Sequence, residues 1–172
     1  TSRLEWYGIP NIHAMRDSVK GISNIVLNPT AHASADVNFS KHVEDTQWLT
    51  HVRTVLKTSW DTADFLAKGN PVLVHCSHGW DRTAQVCALT QLLVDPFYRT
   101  MDGFRVLVDK EWCAYGHPFQ IRCGHSQDHS TRAGEQVSPI FLQFLDCVWQ
   151  LVRQYSPYFE FNTRYILTIA DH

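Results

Sequence analysis

Between Gly69 and Val94 the chain reads "GNPVLVHCSHGWDRTAQVCALTQLLV", and this stretch restricts the available folds more than any other. Gly69-Asn70-Pro71 is a helix stop. Before it, from Val43 to Lys68, the residues Trp48, Val52, Val55, Leu56, Trp60, Ala63 and Leu66 recur at spacings that predict one long helix. That helix would bury a single face and place Trp48 and Trp60 in the core. After the stop, Val72-Leu73-Val74-His75 is too short and too β-branched for a helix and predicts a buried strand. Ala84 to Val94 is apolar with little charge, which predicts a mostly buried helix, broken by Asp95-Pro96. A strand, a short loop and a helix set among further helices predict an α/β domain with a central sheet flanked by helices.

The flanks fit such a domain. An extended entry passes into a helix near His13 that runs to about Ile22. Residues 28–40 are small and polar and read as a loop. Helices are predicted over about 100–115 and 138–155, the second opened by Ser138-Pro139 in cap and first-turn positions. "GHSQDHSTRAGEQ" between them reads as a polar loop, and a last helix starts near Asn162. The 172 residues, 44% hydrophobic and 19% charged, suit one domain over 1–172 with no internal boundary. The first residue is Thr1 and the last residues, "ILTIADH", keep a helical pattern, so the chain reads as part of a larger protein.

A formal net charge of −2 gives no global attraction to nucleic acid or to acidic membranes, so any anion site must be local. Five cysteines, at 76, 87, 113, 123 and 147, are odd in number and lack C-x-x-C spacing, which argues against a disulfide framework and for a reducing intracellular compartment. No secretory leader, lipidation motif or membrane-length apolar run is present. Cys113, His117, Cys123 and His125 are spaced more widely than zinc knuckles, so no metal or other cofactor is expected.

The loop itself carries chemistry. A turn between strand and helix can aim its backbone N–H groups inward as an anion nest. Gly79 lets that backbone pass through conformations closed to other residues. Arg82 offers a planar fork for two phosphate oxygens. Cys76, facing the helix N-terminus and that guanidinium, would be held as the nucleophilic thiolate. Attack on a phosphorus atom seated in the nest gives a phospho-cysteine that water then cleaves.

"HCSHGWDRTAQ" resembles the myotubularin family of phosphoinositide 3-phosphatases, whose signature reads H-C-S-D-G-W-D-R-T. "IPNIHAMRDS", "TQWLTHV", "DPFYRTMDGF", "DKEWCAYGH", "SPIFLQFLDCVWQL" and "FEFN" extend the likeness from about Ile9 to the end of the chain. The resemblance implies a cysteine-dependent fold of the protein tyrosine phosphatase type. It implies as substrate phosphatidylinositol 3-phosphate or its 3,5-bisphosphate, lipids met at a membrane surface. By the same resemblance the protein would be cytoplasmic and peripheral on endosomal membranes, forming homo- or hetero-oligomers with other myotubularin-like proteins. The lipid-binding domain that usually precedes this region, and the end of the catalytic domain, would lie outside the chain.

Residue by residue, the family's nucleophile falls on Cys76, its phosphate clamp on Arg82 and its general acid on Asp81. Ser77, His78, Gly79 and Trp80 complete the substrate loop. Asp81 reads either as that acid or as a carboxylate that orients Arg82 or caps the following helix. Trp80 either walls the inositol ring or packs. Arg122 reads as a contact for a second phosphate or as a surface salt bridge, and Arg16-Asp17 as a pocket wall or a structural pair. Two positions depart from the family: Pro118 stands where many relatives carry Lys or Arg, and His78 replaces an aspartate. The imidazole could strengthen phosphate binding while loosening ring selectivity, or block the site. A second reading therefore stands beside the active enzyme: a weakened or inactive pseudophosphatase that binds phosphoinositides or scaffolds an active relative.

Overall fold

The computed structural model describes residues 2–28, 39–125 and 131–171. The predicted loop over 28–40 falls largely outside them; of the predicted loop over 124–136 only 126–130 does, and Thr131–Gln136 is a short helix and not loop. The helices are α1 (Ile12–Leu27), α2 (Phe39–Asp45), α3 (Trp48–Ala67), α4 (Arg82–Val94), α5 (Met101–Val108), α6 (Phe119–Arg122), α7 (Thr131–Gln136), α8 (Ile140–Gln154) and α9 (Thr163–Asp171). A wide π-turn over Asp109–Ala114 follows α5, and short 3-10 turns lie at Pro96–Arg99 and Ser156–Tyr158.

Among the described residues there is no strand, so the expected α/β architecture with a central sheet is corrected to a helical one. A strand is stable only when a neighbour completes its ladder. Residues 71–75 are not helical, but no other extended segment of the described chain pairs with them, and Leu73 is 88% exposed. The apolar run is therefore not the buried strand its composition suggested.

α4 takes the central place instead. It buries Ala84, Gln85, Val86, Ala88, Leu89, Thr90 and Leu92, residues that face several directions, and it packs between α3 and α8. Its buried Gln85 amide donates to Ile140 O (3.0 Å) and to Gln143 Oε1 (2.8 Å), which ties α4 to α8. The aromatic centre is Trp112, Phe104 and Phe144, with Trp112 and Phe144 centroids 4.9 Å apart. Gly103 is required for close packing, since a Cβ there would lie 1.9 Å from Phe97 O.

The predicted Val43–Lys68 helix is broken in two. Gln47 adopts a left-handed φ of 60°, and the Thr46 hydroxyl takes the Trp48 N–H at 3.3 Å. The side chain thus replaces a helical backbone partner. The buried face of α3 runs through Trp48, Val52, Val55, Thr58, Ser59 and Thr62. Trp60 lies about 140° around the helix from Val55 at 3.6 residues per turn, and it is 64% exposed. Small hydroxyl residues fill its expected place because α4 approaches closely, with the Thr90 hydroxyl on Ser59 O at 3.3 Å. Ser138 is not the cap of α8: its hydroxyl donates to Ile12 O (2.8 Å) and its N–H to Arg122 O (3.0 Å). None of the described helices is long and apolar enough to cross a membrane.

Candidate active site

The loop from Cys76 to Asp81 emerges at the N-terminus of α4, two residues earlier than the composition placed the start of that helix. Gly79 has φ +84°, a left-handed conformation that a side chain would strain. The turn brings its N–H to Cys76 Sγ at 3.3 Å. Ser77, His78, Gly79 and Trp80 are exposed, whereas Cys76 and Arg82 are half-buried behind them.

Partial burial pushes the Cys76 thiol up. Contacts from the Thr83 hydroxyl and backbone N–H, and from the N–H groups of Gly79 and His78, outweigh burial and bring it down to about 7. The Thr83 hydroxyl is buried without a fully formed hydrogen bond, so its contribution is a loose one and the Gly79 contact is the better defined. Other thiols move the opposite way. Burial raises Cys87 to about 11, raises Cys113, and drives Cys147 well above the ordinary thiol range. Cys76 is thus set apart as a thiolate near neutral pH.

Arg82 is held in place before any ligand arrives. Its Nη1 donates to Ile9 O and its Nη2 to Ser77 Oγ, both at 3.1 Å. Ile9 directly precedes the turn into α1, whose first N–H groups are capped by Asn11 Oδ1. The entry to α1 therefore steadies the arginine.

Asp81 points into the protein. Its side chain does not cap α4. Oδ1 accepts from Arg122 Nε (3.1 Å) and Oδ2 from Arg122 Nη2 (2.8 Å), a two-pronged pair. His117 Nδ1 lies 3.3 Å from the same Oδ1. Burial raises the carboxyl, but hydrogen bonds from His117 and Arg122, with their charges, bring it down to about 2. Arg122 is itself 6% exposed, and its Nη1 donates to Gln136 O at 2.9 Å. The structure thus makes Arg122 the buried partner of Asp81 and not a surface salt bridge.

His78 stacks its ring on Trp80, with centroids 5.2 Å apart and planes 18° from parallel. Trp80 is only partly exposed, and its carbonyl accepts from His117 Nδ1 at 2.8 Å. Arg16 donates to Glu135 O at 2.8 Å and lies 3.6 Å from Asp17. Cys113 and Cys123 are exposed, while His117 is buried beneath Trp112.

Three participants escaped the sequence reading. Ile9 contributes only a carbonyl and carries no side-chain signal. Thr83 follows the signature arginine with nothing in the sequence to single it out. His117 is spaced from Cys113, Cys123 and His125 in a way that draws attention only to metal ligation. Its signal was available in "GHPFQIR", where Gly116 turns the chain (φ +80°) and presents a histidine and an arginine together.

The comparisons agree along the full chain. Residues 1–172 match the family model described as myotubularin-like phosphatase domain. A Caenorhabditis elegans protein named phosphatidylinositol-3,5-bisphosphate 3-phosphatase MTMR6 is 44% identical over 170 residues, covering 99% of this chain and 25% of that protein. The Gallus gallus phosphatidylinositol-3,5-bisphosphate 3-phosphatase MTMR8 is 45% identical, with 99% and 26% covered. Myotubularin of Xenopus laevis is also 45% identical, with 99% and 28% covered. The chain spans about a quarter of the length of these curated relatives. With a whole-chain match and a cysteine–arginine loop at its centre, the chain belongs to the myotubularin-like phosphatase domain family.

Proposed function

We propose that this site hydrolyses the 3-phosphate of phosphatidylinositol 3-phosphate and of phosphatidylinositol 3,5-bisphosphate through a phospho-cysteine. The observation that carries the reading is Cys76, a thiol lowered to about 7 in a tight loop where the Gly79 N–H meets its sulfur and Arg82 is bonded to the neighbouring Ser77 hydroxyl. The names of the relatives supply the substrate class.

In the first half-reaction Cys76 Sγ forms a bond to phosphorus while the bond from phosphorus to the inositol oxygen breaks. The leaving oxygen takes a proton from Asp81. In the second, water attacks phosphorus, the S–P bond breaks, and the Asp81 carboxylate takes the proton of the attacking water. Unliganded, Asp81 is ionised and both its oxygens are taken. To donate, the carboxyl has to turn from Arg122 and His117 towards the bound phosphate; losing those partners beside a like charge raises it towards the protonated state that the first step requires. Buried against Asp81, Arg122 supports this step by position; a contact with a second phosphate would require it to release that carboxylate. The inactive reading is not favoured, because the His78 ring rests on Trp80 and both Cys76 and Arg82 are in place.

Short-chain soluble lipids test the assignment. The 3-phosphate and the 3,5-bisphosphate should release phosphate at least about 100-fold faster than the 4- and 5-monophosphates. Phosphotyrosine peptides hydrolysed as fast as the 3-phosphate would replace the lipid reading with a protein phosphatase. In the same assay, Asp81→Asn should slow the lipid more than an aryl phosphate, whose leaving group needs no proton. Equal losses on both would remove Asp81 as the acid.

A further inference from the structure

We propose that His117 is a positioning residue for the oxyanion cradle, acting from behind the loop without touching substrate. The inference rests on the loop being a phosphate cradle. The His117 side chain is buried, and its Nδ1 lies 2.8 Å from Trp80 O and 3.3 Å from Asp81 Oδ1. A carbonyl can only accept, so Nδ1 carries a hydrogen and donates it to Trp80 O.

That single hydrogen bond orients a whole peptide. The Trp80–Asp81 bond is trans, as all the described peptides are. In a planar trans peptide the C=O and N–H point to opposite sides. Drawing Trp80 O back towards the buried ring turns the Asp81 N–H forward, to the side of the loop where Ser77, His78 and Gly79 are exposed. An N–H fixed in advance at a phosphate oxygen needs no reorganisation when charge develops there.

The other ring nitrogen shows that packing alone does not explain an imidazole. Nε2 is buried without a hydrogen-bond partner. The rings of Trp112 and Phe119 stand edge-on to it, each with its centroid 4.8 Å away. A buried polar atom left without a partner is unfavourable, and a phenyl ring would fill the same aromatic pocket without one. Nδ1–H is what a phenyl ring lacks.

His117→Phe removes the donor and keeps the ring. His117→Asn keeps an N–H close to the Nδ1 position, and His117→Gln moves it towards the Nε2 position. Tungstate, an unreactive phosphate mimic, is titrated into each protein by calorimetry, alongside a thermal melt. His117→Phe and His117→Gln should each weaken tungstate by about 10-fold, the order expected for one misaimed amide. His117→Asn should recover most of that loss, and the melting temperature should not follow this order. Tungstate affinity within twofold of wild type in His117→Phe, or in His117→Gln should the first variant not fold, would overturn the proposal. So would equal losses in all three variants. A wild-type protein that binds tungstate but hydrolyses no phosphoinositide would sink the functional reading and leave the His117 assignment standing. A wild-type protein that binds no tungstate would remove both.

Discussion

Cys76→Ser is expected to reduce phosphoinositide hydrolysis by about 10,000-fold or more, because it removes the atom that forms the covalent intermediate. The loop supports a thiolate, not an alkoxide: against the burial that raises it, the Thr83 hydroxyl and the N–H groups of Thr83, Gly79 and His78 bring the thiol to about 7, within reach of neutral pH. A serine hydroxyl starts far above that range. Alkylation of Cys76 in the wild-type protein should accelerate with rising pH and level off above about 7, whereas Cys87, pushed up to about 11, should react slowly throughout. The fold should survive the substitution, since Cys76 is only half-buried. Residual turnover within about 100-fold of wild type would place the nucleophile elsewhere.

The largest effect on stability is expected from Arg122→Ala. Truncation leaves the Asp81 carboxylate buried with only the His117 N–H beside it, and such a broken buried pair costs about 3–5 kcal/mol. Replacing both, Arg122→Ala with Asp81→Ala, should be less destabilising than Arg122→Ala alone, because no charge is then stranded. The pH dependence has a definite direction. Asp81 sits at about 2 in the fold, against about 3.9 in an unfolded chain. Its stabilisation is complete above about pH 4 and is lost as pH falls through about 2. The gap between wild type and Arg122→Ala should close over that window. Denaturant melts at pH 7 and pH 3 measure it; a gap that stays constant would mean that the pair is not what Arg122 contributes.

What the sequence revealed divides along a physical line. Features set by neighbours in the chain were legible: the stop at Gly69-Asn70-Pro71, the turn at Gly79 and the helix after it. Cys76 and Arg82 belong to that class, since one loop carries both. Features set by partners far along the chain were not. Val72-Leu73-Val74 has the composition of a strand, but a strand also needs a neighbour, and the described residues offer none. Trp60 follows an apolar pattern and yet is exposed, because the face that meets α4 runs through Ser59, whose carbonyl takes the Thr90 hydroxyl. The Asp81–Arg122 pair joins residues 41 positions apart. Residue type alone suggests a second-phosphate contact or a surface salt bridge for Arg122, and only packing shows that it is buried against Asp81.

The central claim is a covalent phosphate on one sulfur atom. Substrate carrying labelled phosphorus at the 3-position, mixed with enzyme and quenched in acid within milliseconds, tests it most directly. Peptide mass analysis should then find the label on the peptide that contains Cys76, in an amount that rises before free phosphate appears and is absent from Cys76→Ser. Phosphate released at the full rate with no label on Cys76 at any quench time would contradict the account.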